Sequence, residues 1–188
     1  MGNQLPAQAP LAAWQPSTWP IPPSKVDASF IETLKLIFDQ SILCEIDNVV
    51  EDAHKSNGGL EHRGHVVAIA LMCALDATSS YGYGRKNGNQ MPPFVQNHFP
   101  SAYHPHAADL LKLYRHSLVH SWNLFEAAIT PGAEPITKSG GVLSFGLLNF
   151  RDALRSAVTD FLDKLKSDPT LHTNTLKRYR DLRNSAKV

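Results

Sequence analysis

The chain has 188 residues, enough for one domain with at most a tail. Its 18 Lys+Arg against 17 Asp+Glu leave a net charge of +1. That balance excludes a uniformly basic nucleic-acid coat and an acidic solvating tail, though not a local basic patch. Hydrophobic residues make up 43%, so a core forms and wholesale disorder is excluded.

Residues 1–24 hold six of the 13 prolines and read as an extended or disordered arm, in which Trp14 and Trp19 are candidate anchors. No charged leader with an apolar stretch opens the chain, so no secretory signal is expected. Met1-Gly2 lacks the rest of a myristoylation motif, because Pro6 stands where Ser or Thr is needed. The folded domain is expected over 25–168, with a basic C-terminal segment over 169–188.

Ser29 and Glu32 have capping-box spacing for a helix start. Phe30, Leu34, Ile37, Phe38, Leu43, Ile46 and Val50 then recur at three- to five-residue intervals. The pattern predicts one long helix to about Lys55, bent near Asp39-Gln40-Ser41 and stopped by Asn57-Gly58-Gly59. A second helix spans about Glu61–Ser80. Its ten-residue apolar run, Val66–Leu75, is too short to cross a bilayer and reads as the most buried helix. Asp76 ends that run and needs a partner if buried. Cys44 and Cys73, outside any CxxC pair, read as buried thiols in a reducing compartment, and the expected location is the cytoplasm.

Residues 82–92 are a loop by composition, followed by a short helix at Phe94–His98. A third main helix is predicted from about His106 to Trp122. The breakers between Asn123 and Phe145 suggest two short strands in a hairpin. Asn149 is then expected to cap a helix carrying Phe150, Leu154, Val158, Phe161, Leu162 and Leu165 to the core, ended by Asp168-Pro169. From Lys164 onward the chain is +5 and the remainder −4. The fold class is all-α: an antiparallel helical bundle with a short β-hairpin insertion.

The helix over 109–122 carries the functional argument. At about 100° per residue, Leu111, Trp122, Ala108 and Val119 all fall within roughly 40° of Arg115. Arg115 thus lies on the apolar face, near its edge. A guanidinium stays charged there and needs a carboxylate, carbonyls, a partner surface or a bound anion. Lys112, His116 and His120 form a second stripe at four-residue spacing, with Asp109 beside it. An always-charged donor fork near an imidazole that titrates around neutrality suits phosphoryl chemistry.

The stretch Arg115-His-Ser-Leu-Val-His120 resembles the signature of the HEPN superfamily, an Arg, then four to six residues, then a His, late in a helix of an α-helical bundle. Leu113-Tyr114 and Ser121-Trp122 beside the motif, and Phe99-Pro100…Tyr103 before it, are also similar to bacterial HEPN-like proteins. The resemblance covers roughly residues 30–165. It implies a homodimer in which two motif helices pool their residues in one cleft as a metal-independent endoribonuclease. Arg115 would hold the scissile phosphate and His120 would act as general acid or base. His116, and with it Lys112, would bind phosphate. It equally implies relatives that only bind RNA or proteins, some beside a nucleotidyltransferase-type partner in toxin–antitoxin systems. The Pro-rich arm and the apparent hairpin depart from the family pattern.

Alternatives stay open at this point. Arg115 bridging to Asp76, with His120 hydrogen-bonded at a helix end, would give a non-catalytic interaction module. The spacing of His104, His106, His116 and His120 admits a tetrahedral metal site, but scattered polar-face histidines are the favoured reading, with no metal and no cofactor. The basic run Lys177-Arg178-Tyr179-Arg180 reads as a solvated terminal helix, or as an RNA contact with Tyr179 stacking on a base.

Overall fold

The computed structural model describes residues 26–57, 59–84, 89–113 and 127–185. The expected arm at 1–24, with Trp14 and Trp19, lies outside the described residues. Helix α1 (Val26–Ile37) passes through a six-residue π-helical segment, Phe38–Leu43, into α2 (Cys44–Lys55). The buried positions explain the wide turn. Phe30, Leu34 and Phe38 are four apart, but the next is Leu43, five on, followed by Ile46, Val50 and Ala53. A π turn absorbs the extra residue and keeps all of them facing the core. The helix starts at Val26, so Ser29 lies inside its first turn rather than at the expected cap.

Helix α3 (Gly59–Tyr83) is longer than expected at both ends and packs on α2. It ends at Gly84, whose φ of +77° is the left-handed conformation that terminates helices. It is the one described helix long and apolar enough to cross a membrane, and 56% of that stretch is buried inside the fold. The rest is open: Val66 is 51% exposed, and Cys73 and Ala77 lie on the same outer side. Both cysteines are exposed, against the expectation of buried thiols. Cys44 and Cys73 occupy the outward faces of helices whose other sides supply the core.

Helix α4 (Met91–His98) carries Pro92 and Pro93 in its first turn, where no backbone donor is needed. A 3₁₀ segment, Ser101–His106, leads into α5 (Ala107–Lys112). Strands β1 (Ala127–Thr130), β2 (Thr137–Ser139) and β3 (Val142–Gly146) form one sheet in the order β1-β3-β2. In the stretch read as a hairpin of two short apolar strands, the antiparallel pair is β2–β3, with polar β2 as one arm, turned at Gly140 and Gly141 with φ of +58° and +86°. The third strand was not expected: β1 lies parallel to β3, with Ala127 opposite Leu143.

Helix α6 (Leu147–Ser167) follows directly and buries Phe150, Leu154, Val158, Phe161, Leu162 and Leu165, as its periodicity predicts. Gly146, not Asn149, is the cap residue. A Cβ at Gly146 would stand 2.3 Å from the Gly132 carbonyl oxygen and 2.6 Å from the Glu134 nitrogen. Asn149 works elsewhere, accepting the Tyr103 hydroxyl and donating to the Ala133 carbonyl oxygen. The basic end forms α7 (Pro169–Ser185), which packs on α3 and α6. Asp168 Oδ1 accepts the Thr170 and Leu171 amides at 2.9 Å and caps it. Leu171, Thr175 and Tyr179 of α7 enter the same core as the rest. The architecture is mainly helical with a small three-stranded sheet.

Candidate functional site

The predicted catalytic pair Arg115 and His120, and the predicted phosphate ligand His116, lie outside the described residues. The stem that leads to them is described. Ala107, Leu110 and Leu113 are 1%, 0% and 5% exposed and anchor α5 in the core. Upstream, Tyr103 is buried on Asn149, and His104 Nε2–H donates to the Phe99 carbonyl oxygen at 2.8 Å. On the polar side of α5, Asp109 receives Lys138 Nζ at 2.6 Å and has His106 Nδ1 at 3.8 Å. Lys112 is exposed in the last turn. Ala108, whose spacing puts it on the apolar side with Arg115, is exposed, and Leu111 is half-buried, so the buried side of the stem runs through Ala107, Leu110 and Leu113 instead.

Asp76 is half-buried, and one partner is Gln90, whose Nε2 donates to Oδ1 at 2.7 Å. Gln90 is 2% exposed, and its own Oε1 is buried without a hydrogen-bond partner. The sequence reading identified Asp76 as needing a partner but not Gln90, which sat in a segment read as loop. Among the described residues no three His, Cys, Asp or Glu side chains converge to hold a metal ion.

A second polar centre was not anticipated. His98, at the end of α4, has its ring 4.8 Å from Phe94 and 5.3 Å from Phe161. Its Nδ1 lies 2.7 Å from Asp160 Oδ2, and its Nε2 lies 3.0 Å from the Tyr83 hydroxyl. Burial pushes the imidazole below its usual pKa despite the opposing pull of Asp160. The ring is therefore neutral at pH 7, with Nδ1–H donating to Asp160 and the Tyr83 O–H donating to Nε2. Burial raises the Asp160 carboxyl, but Lys164 at 2.8 Å and His98 outweigh it and hold the group below its usual value. Burial likewise raises the Tyr83 phenol, which stays protonated at neutral pH. Lys164 also donates to the Asn97 carbonyl oxygen at 2.6 Å, closing the cluster against the end of α4. The arrangement fixes three proton positions across α3, α4 and α6.

Tyr179 does not offer its ring to solvent. It is 2% exposed and lies edge-on to Phe30 at 5.5 Å, so the expected base-stacking role falls. No protein-family model, curated protein or solved structure matches the chain.

Proposed function

We propose that the chain is an HEPN-like protein that acts on RNA as a homodimer, with RNA cleavage as its most specific activity. The observation that carries this reading is the pairing of Arg115 with His120 five residues on, beyond a stem anchored by Leu110 and Leu113. That stem presents Asp109 and Lys112 on its other side. In this reading Arg115 holds the scissile phosphate and spreads the charge that develops on its oxygens. His120 takes the proton from the 2′-hydroxyl or returns one to the leaving oxygen. His116 and Lys112 bind phosphate. The protein's own side chains supply the chemistry, and the site is completed by the same helix of a second copy.

The test is cleavage of a mixed RNA pool by the full chain in the presence of a chelator, with sedimentation to follow the dimer. Arg115→Ala and His120→Ala should each abolish cleavage while the dimer persists. Unchanged cleavage in both variants overturns the enzymatic reading. A wild-type dimer that binds but never cleaves RNA reduces the proposal to a non-catalytic module.

A further inference from the structure

A cleft of about 790 Å³ opens between the C-terminal end of α3 and one face of α7. Its volume lies in the range of small-molecule sites, roughly 300–1,000 Å³. Asn174, Lys177, Arg178 and Asp181 line it from α7 at i, i+3, i+4 and i+7, and therefore from one side of that helix. Tyr83 and Gly84 line it from α3, and Thr170 from the first turn of α7.

The charges in this cleft are not balanced in use. Asp168 is occupied by the two backbone amides it caps, and Asp181 has an interaction of its own. Among the described residues neither Lys177 nor Arg178 lies within ion-pair distance of a carboxylate. The Nε of Arg178 is buried and has no hydrogen-bond partner. A buried donor left this way is unfavourable, and more so on a charged group. Its guanidinium cannot shed the charge, so an acceptor is called for. Lys177 is exposed at the rim and adds three donors, Asn174 an amide and Thr170 a hydroxyl.

We propose that this cleft binds a phosphomonoester of about nucleotide size, with Arg178 and Lys177 on the phosphate and Asn174 and Thr170 beside it. A phosphate dianion offers three acceptor oxygens, which one carboxylate does not, and the remaining volume takes the organic part against Tyr83. The proposal uses neither Arg115 nor His120 and does not depend on the ribonuclease reading.

Calorimetric titration of the full chain with AMP, inorganic phosphate and adenosine tests it. AMP and phosphate should bind in this cleft, and adenosine should not. Lys177→Gln should weaken AMP about tenfold, the loss of one charge-assisted contact. Asn174→Asp should weaken it at least as much, because the new carboxylate captures Arg178 one turn away. Both positions are exposed on a helix surface, so neither variant endangers the fold. Arg178→Gln, checked by thermal melting, should abolish binding. In an Arg115→Ala/His120→Ala background, without the phosphate contact proposed for cleavage, AMP should still bind in this cleft and should still be lost on Arg178→Gln. Oligonucleotides with and without a 5′-phosphate, titrated alongside, separate a free nucleotide from a phosphorylated RNA end as the source of the group. AMP binding no tighter than adenosine, or binding untouched in both Lys177→Gln and Asn174→Asp, overturns the proposal.

Discussion

His98 is the residue on which pH should act most directly. Its folded-state pKa lies below the usual 6.5, so the unfolded chain binds the extra proton more readily than the native one. Stability from this residue is complete above about pH 6.5 and is lost as pH falls through the depressed folded value. Asp160, also lowered, adds a further loss only below its ordinary 3.8. Urea midpoints measured from pH 7.5 to 5.0 should therefore fall with acidification, and His98→Gln should flatten that slope. An identical slope in the variant would show that another group sets it. None of this was readable from the chain alone, because Tyr83, His98 and Asp160 meet only after three helices pack. Tyr179 misled for a related reason: its cationic neighbours suggest solvent, whereas its ring is buried edge-on to Phe30.

Helices were legible where their apolar spacing was regular, as in α6, and less so where one glycine did the deciding. Asn149 has the composition of a cap, yet the cap falls at Gly146 because only a residue without Cβ fits against Gly132 and Glu134. Gly146→Ala should therefore destabilise the protein by about 2 kcal/mol or more in denaturant titrations. Gly82 is a second close approach, since a Cβ there would lie 2.6 Å from the Phe161 ring and 3.3 Å from Leu171. Gly82→Ala should cost roughly 1–3 kcal/mol by prying α3 from α6 and α7. A cost near zero would mean that Phe161 rotates away freely. Strand β1 went unseen because its four residues, Ala127–Thr130, show no buried–exposed alternation, and its partner β3 comes after β2. The hairpin was visible because Gly140-Gly141 marks its turn.

At the scale of the molecule, charge drew a boundary at 168 that packing ignores. Leu171, Thr175 and Tyr179 lie in the core built by α1, α3 and α6. Ending the chain at Ser167 should therefore abolish the cooperative thermal transition rather than trim a tail. A truncated chain that still melts sharply would make α7 an appendage. The candidate site was read only as a motif, Arg115 with His120, since which surfaces meet around it depends on the assembled protein. The widened segment Phe38–Leu43 has a consequence for the whole architecture. It takes up one surplus residue, so that a single rod keeps its apolar side inward along its whole length, against α7 through Phe30 and against α3 through α2. Excising the exposed Gln40 would leave Phe38 and Leu43 four positions apart and restore ordinary winding. Ile46, Val50 and Ala53 would keep their places in the core, so the rod should tolerate that one-residue deletion far better than a deletion within α1 or α2, which would turn everything downstream by about 100°.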